Sequence, residues 1–515
     1  MEHYDIIIIG SGAGGGTMAR ALAPTGKRIL ILERGGFLPK EAQNWDTDAV
    51  YKDKRYHPDE TWYFDDRPFR PAHPHYYVGG STKIYGAALI RLRERDFEEI
   101  EHADGISPAW PITYTDLEPF YTQAEKWYHV HGETGADPTD PPRDEPYPYP
   151  PLQHEGRIQQ LNDDLLKLGL HPYPLQMGMR LGDGPSEQGP ITDIGLLGHF
   201  DGFPDPTETK ADAHVIGVKP ALAHDNVTLL TNQYVERLET NAGGRTVTGV
   251  VVKQADGTET TYHSDWVILA AGAINSAALL LRSANDAHPD GLANSSGLVG
   301  CHYMSNTNAT FLAIGKEPND AVFQKTLGLS DFYWGDDDWP YPMGLIQMLG
   351  KVDETLIAFE APEPFAGMTY AEMARHSIDF WLQSEDLPDP DNRVRLNAQG
   401  EIVFHYTANN LQAYERLRDK LQSLLEPIGC HEHLIPVNHY LGSRFPFNLA
   451  HQMGTLRMGT DPAASVLDTY CRAHDLDNLF VTDGGFFVSA GAVNPTLTII
   501  AMTLRVAEYL TREVL

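Results

Sequence analysis

The stretch from Tyr4 to Glu33 limits this chain more than any other, because few folds run a short buried strand directly into a cluster of glycines. Tyr4 to Ile9 (YDIIII) is an apolar, β-branched run of the kind buried on both faces of a parallel sheet. It passes into Gly10-Ser11-Gly12-Ala13-Gly14-Gly15-Gly16, in which Gly10, Gly12 and Gly15 satisfy G-x-G-x-x-G. The first glycine permits a tight turn, the second lets a pyrophosphate approach the backbone, and the third lets the following helix pack on the strand. Amides at the helix start then face the phosphates. A second apolar run, Arg28 to Leu32, ends at Glu33, where a carboxylate can accept hydrogen bonds from ribose hydroxyls. Strand, glycines, helix and acid in register predict a dinucleotide-binding α/β unit, with NAD and FAD undecided.

A chain of 515 residues is too long for one simple core, so two or three domains are expected. The formal net charge, 39 − 71 = −32, argues against nucleic acid or an anionic membrane surface as the main partner, since both are polyanions. Cys301, Cys430 and Cys471 are far apart, which predicts buried free thiols and no metal, iron–sulfur or disulfide framework. No basic region followed by a hydrophobic stretch opens the chain, and no run approaches the roughly twenty apolar residues that span a bilayer. A cytoplasmic protein without membrane partners is the expectation.

Residues 37–76 are rich in Trp, Tyr, Asp, Pro and His with little periodicity, and read as an excursion over the surface or over the cofactor. His73 and His75 within it are taken as scattered surface histidines in preference to pocket residues. Tyr77 to Gly86 holds a second glycine-rich turn, with Gly80 and Ser81 small enough to let backbone approach a flat ring or a phosphate. Trp110 to His131 predicts an amphipathic helix with Asp116 as its N-cap. A second loop or lid excursion is expected near 137–205, with a helix from Arg157 to Leu168 inside it. Strands follow at Val227–Thr231, Val235–Thr240, Val247–Lys253 and Trp266–Ala271, then a helix over Ala273–Arg282. Residues 303–449 carry short strands, Trp, Tyr, Phe and Asp, and one clear helix from Gln412 to Leu425, which suits an antiparallel sheet around a cavity. Leu479 to Gly485 is a strand ending at Asp483 and two glycines. Asn494-Pro495-Thr496 then opens a core helix, with Asn494 placed to cap it.

Several blocks in this order resemble the glucose–methanol–choline (GMC) family of oxidoreductases. They are Gly10 to Gly16 with Glu33, Val78 to Gly86, Trp110 to Tyr121, Val267 to Ser276, Pro388 to Leu396, His451 to Gly459 (HQMGTLRMG), and Asp483 to Thr498. The likeness is strongest to the sugar-oxidising, pyranose-oxidase-like members. It implies FAD as the cofactor and an α/β fold: a Rossmann-like FAD-binding domain from 1–302 and 450–515, with a second α+β substrate domain built on an antiparallel sheet from 303–449.

By the same resemblance, His451 is the general base and Asn494 orients the substrate hydroxyl beside the flavin while an alcohol of a sugar or polyol gives up hydride to flavin N5. Gly10, Gly12, Gly15 and Glu33 hold the ADP half, Val235 lies at the adenine, Gly80 and Ser81 approach the flavin, and Asp483 and Gly484 meet the pyrophosphate and ribityl chain. Some members tether FAD through a histidine where this chain has Ile84, so noncovalent FAD is expected. Oxygen or a quinone-like carrier is the implied electron acceptor. The family also contains hydroxynitrile lyases whose FAD is not a redox centre, and a flavin-binding protein with an eroded site is a third reading. Trp334, Trp339, Tyr341 and Trp381 are candidates either for stacking on a sugar ring or for core.

Overall fold

The computed structural model describes residues 3–181, 199–254, 256–360, 367–428, 435–437 and 449–515. Cys430 and part of the 137–205 excursion lie outside the described residues, while Cys301 and Cys471 are buried free thiols.

The N-terminal pattern builds the main sheet. The strand His3–Ile9 pairs in parallel with Ile29–Leu32 on one side and with Glu259–Leu269 on the other. Val227–Leu230 and Leu479–Val481 extend the parallel array at its two flanks. Ile6, Ile7 and Ile8 are fully buried, as a run apolar on both faces requires. The long strand Glu259–Leu269 also pairs antiparallel with Val247–Lys253, which pairs with Tyr234–Thr240. One strand therefore couples a polar-edged meander to the parallel core. Helices Ala13–Leu22, Ala273–Arg282 and Thr496–Tyr509 bury apolar faces around this sheet.

All five parallel strands point the same way, so their carboxyl ends form one edge of the sheet. Gly10, Glu33, Ala270–Gly272 and Asp483 follow four of these strands at that edge. A crevice outside the carboxyl ends of such strands is where α/β sheets bind ligands.

The middle segment forms an antiparallel sheet in the order Ile435–Val437, Thr307–Ile314, Ser377–Ser384, Leu345–Met348, Leu327–Leu329, Tyr173–Pro174. Helices Gly156–Lys167 and Leu411–Leu425 cover one face, packing Ile158, Leu161, Leu417 and Leu421 on Phe311, Ile346, Phe380 and Leu382. Strand side chains alternate between faces, so Gln347 and Trp381, paired in register, project to the other side. That side borders the crevice. The expected α/β fold with a second α+β unit on an antiparallel sheet is thus observed. The sheet also takes an edge strand and a helix from residues 156–174.

Two local expectations need correction. Thr113, rather than Asp116, is the N-cap of the helix Tyr114–Trp127. Asp116 occupies the third helical position of a capping box: its amide donates to Thr113 Oγ1 at 3.3 Å, and its carboxylate accepts from Thr113 N at 2.8 Å. Asn494 does not cap Thr496–Tyr509, because its side chain is engaged elsewhere.

Candidate active site

A cavity of about 540 Å³ runs from the glycine turn to the inner face of the antiparallel sheet. Its lining includes every site residue expected from the sequence except Gly15. Gly15 lies beneath, where a Cβ would overlap the carbonyl oxygen of Gly10 and sit 3.3 Å from Ile8 Cγ2. The third glycine is therefore the one that seats the helix on the strand. Gly12 faces the other glycine turn: a Cβ on Gly80 would stand 3.0 Å from Gly12 Cα. Ser11 Oγ ties the two turns together by accepting from Gly79 N at 3.1 Å.

Glu33 is 5 % exposed. Its carboxylate accepts from Ser11 N at 3.0 Å, Ser11 Oγ at 2.6 Å and Gly35 N at 2.9 Å. Burial pushes its pKa up, against the pull of those hydrogen bonds. A carboxylate has about four acceptor positions. Three are filled within the protein, which leaves one for an outside hydroxyl. Beside it, the Arg34 guanidinium lies 3.9 Å over the Tyr76 ring and 4.6 Å over the Tyr234 ring, with Val235 and Asn275 also lining this end. Flat groups stacked at the end of an acid-terminated strand suit an adenosine. Asp483 accepts from Gly272 N at 3.0 Å and Gly485 N at 2.8 Å, and from Ser276 Oγ. Burial lifts its pKa to about 6. Its carboxylate organises the turns around the middle of the cavity.

His451 and Asn494 both line the far end of the cavity. His451 Nδ1 lies 3.1 Å from Asn306 Oδ1, and Asn306 Nδ2 lies 2.7 Å from the Gly491 carbonyl. That carbonyl can only accept, so the amide nitrogen of Asn306 faces it and the amide oxygen faces His451. Nδ1 therefore carries the imidazole proton and Nε2 the lone pair. Burial, with a smaller contribution from the Lys325 cation, lowers the His451 pKa to about 4, so the ring is neutral across the physiological range. Asn494 Oδ1 accepts from Gln347 Nε2 at 2.8 Å. Gln347 Oε1 is buried without a hydrogen-bond partner among the described residues. Lys325, also in the lining, is ion-paired with Asp201.

His73 and His75 are not surface residues. Both line this cavity together with His57, with His75 5 % exposed and the His73 and His75 rings 4.4 Å apart. Burial holds His57 and His75 at about 4 and His73 well below its usual range. The 37–76 segment lacks periodicity, so nothing in its pattern reported that it folds inward. Of the four aromatic candidates of the middle segment, only Trp381 lines the cavity. Trp334 and Trp339 instead lie under Arg95 and Arg416, and Tyr341 packs edge-on against Trp339. Asn306, Gln347, Lys325 and Arg34 were not anticipated. A polar residue inside an otherwise apolar strand (LIQM) is the signal that would have found Gln347.

Known proteins resemble this chain in sequence and in fold. Sequence models of the GMC oxidoreductase family match residues 196–308 and 429–503. The 6'''-hydroxyparomomycin C oxidase of Streptomyces lividus is 28% identical, covering 98% of this chain and 90% of that protein. The 2-methyl-1,2-propanediol dehydrogenase of Mycolicibacterium austroafricanum is 26% identical over 99% of this chain and 96% of its own. The crystal structure of pyridoxine 4-oxidase from Mesorbium loti superposes with a TM-score of 0.70 at 19% identity, over 98% of each chain. The chain carries both the N-terminal and the C-terminal sequence models of the GMC oxidoreductases. It is an oxidoreductase, and its cofactor is FAD. The residues fit that cofactor: both glycine turns line the cavity with backbone free of side chains at Gly10, Gly12 and Gly80, and Glu33 keeps an acceptor position beside the Arg34–Tyr76 stack. No helix among the described residues is long and apolar enough to cross a membrane.

Proposed function

We propose that this protein oxidises an alcohol group of a sugar, polyol or related small molecule to a carbonyl, with His451 as general base and Asn494 orienting the hydroxyl. The observation that carries this reading is the state of His451: a neutral imidazole with its Nε2 lone pair unpartnered among the described residues, in the same cavity as an amide anchored by Gln347. An alcohol gives up hydride readily only while its hydroxyl proton is being removed. FAD, when bound, supplies the acceptor for that electron pair.

His451 Nε2 takes the hydroxyl proton. Asn494 hydrogen-bonds the same oxygen and stays uncharged at any pH, so it orients without competing for the proton. Gln347 Oε1 is a buried acceptor that a second substrate hydroxyl would satisfy. Trp381 offers an apolar wall on the same face of the sheet. A hydroxylated substrate agrees with the two relatives, whose names carry a hydroxyparomomycin and a propanediol.

In this reading FAD is held at Gly10, Gly12, Glu33, Val235, Gly80, Ser81, Asp483 and Gly484, and without a covalent bond at Ile84, whose side chain has no nucleophile. The net charge of −32 disfavours nucleic acid and anionic membranes as partners, and the electron acceptor is oxygen or a quinone-like carrier. The cell compartment assigned is the cytoplasm.

A pH series tests the base. Protonation removes the lone pair, so the rate of substrate-driven flavin reduction is expected to be flat above about pH 5. It should fall about tenfold per pH unit below the His451 value of about 4. An acidic limb centred near the ordinary histidine value would mean that another group, or a protonated His451, controls the step.

A further inference from the structure

Asn306 stands where the strand Thr307–Ile314 begins, 2 % exposed and with φ of +60°. Asparagine tolerates that left-handed backbone better than most residues. We propose that Asn306 is a positioning residue that sets both members of the catalytic pair, holding the Nδ1–H of His451 with its amide oxygen and the turn that carries Asn494 with its amide nitrogen. The inference rests on the reading of His451 as the base, but its test does not need a substrate.

The geometry leaves little freedom. The Gly491 carbonyl, three residues before Asn494, receives Asn306 Nδ2 at 2.7 Å. On the other side of the same residue, Gly491 N donates to Glu385 Oε1 at 3.0 Å. Gly491 has φ of +59°, and a Cβ there would stand 2.5 Å from Leu92 Cδ2, so the turn is confined from a third direction. Asn306 is anchored in its own backbone, because the preceding Ser305 N donates to Asp386 Oδ2 at 2.9 Å. Glu385 and Asp386 follow the strand Ser377–Ser384, so the carboxylates that hold Gly491 N and the backbone before Asn306 come from the substrate-facing sheet, while Tyr333 Oη accepts from Ala492 N at 3.1 Å. One amide thus transmits the position of that sheet to the base and to its neighbour.

Among the described residues, no other group hydrogen-bonds His451 Nδ1. Lys325, from the segment before Leu327–Leu329, is a cation paired with Asp201 and cannot accept the proton. His73, from the 37–76 excursion and packed against His75, is kept neutral by burial. The carboxylates Glu385 and Asp386 accept from Gly491 N and Ser305 N and form no hydrogen bond with His451 among the described residues. Without Asn306, the proton of the neutral ring has no reason to stay on Nδ1. A proton on Nε2 would remove the lone pair from the side that the substrate hydroxyl must reach.

Nitrogen-15 NMR of FAD-loaded protein labelled in histidine tests this, with the His451 signals identified by their loss in His451→Ala. The wild type is expected to show His451 protonated on Nδ1. Asn306→Ala is expected to shift the ring toward the Nε2–H form. Asn306→Asp keeps an acceptor and adds a negative charge, so it should preserve the Nδ1–H form and raise the His451 pKa by about one unit or more. A change confined to packing would leave tautomer and pKa where they are. A wild-type ring protonated on Nε2, or the same tautomer and pKa in wild type and both variants, overturns the proposal. If Asn306→Ala fails to retain FAD, the wild-type tautomer and Asn306→Asp decide alone. Failure of alcohol oxidation would leave this result intact, so the two readings fall separately.

Discussion

His451→Ala is expected to keep FAD bound while slowing substrate-driven bleaching of the flavin band by about 10²- to 10⁴-fold, the usual contribution of a positioned general base. The two halves of that expectation come from different parts of the fold. Cofactor retention depends on the carboxyl edge of the parallel sheet, where Gly12, Gly80 and Glu33 are set by contacts that do not involve His451. Base strength depends on Asn306, Lys325 and burial at the other end of the cavity. Visible absorbance of the purified variant reads the first and anaerobic stopped-flow reduction reads the second. Full retained activity would remove His451 from the mechanism. Loss of colour would mean that it has a structural role in holding FAD.

Gly15→Ala is expected to have the larger effect on the protein itself. A Cβ at Gly15 would overlap the Gly10 carbonyl oxygen and come within 2.9 Å of its carbon. Both are backbone atoms at the end of a central strand and cannot rotate away. The helix Ala13–Leu22 would have to lift off the sheet, taking with it the amides that face the phosphates. Overpacking of this kind costs about 1–3 kcal/mol, and more where backbone must shift. Reduced FAD content and a lowered Tm are the expected results. Gly156→Ala is the control, since a Cβ there meets nothing within 4 Å and the residue opens the helix Gly156–Lys167. It should be neutral or slightly stabilising, by up to about 1 kcal/mol. A Gly15→Ala protein as yellow and as stable as the wild type would contradict the packing account.

The difference between these two variants also marks what the sequence could reveal. Gly15 was legible because strand, glycines and helix are contiguous, and each constrains the next within thirty residues. The helix Ala273–Arg282 and the strand Val247–Lys253 match their expected spans for the same local reason. The pair His451 and Asn494 was legible only through resemblance to a family, because no periodicity connects them. Asn306 was not legible at all: it meets His451 across 145 residues of sequence, and a lone asparagine before a strand usually marks a turn. The strand Ser377–Ser384 is buried along its whole length, so the alternation that would have separated cavity-facing Trp381 from core-facing Phe380 is absent. His73 and His75 were misjudged because a segment without periodicity does not state which side faces water. Long-range placement by other elements decides it.

The FAD held here is expected to take electrons from an alcohol carbon. Anaerobic single-turnover mixing of the yellow protein with a panel of sugars and alcohols, followed at the visible flavin band and by carbonyl analysis, tests it most directly. The predicted result is bleaching with one carbonyl formed per flavin, slowed several-fold when the reacting substrate carries deuterium on its carbinol carbon. Carbonyl release from a cyanohydrin with the flavin band unchanged would show a lyase instead, and no spectral change across the panel would show a binder. Either outcome contradicts the account.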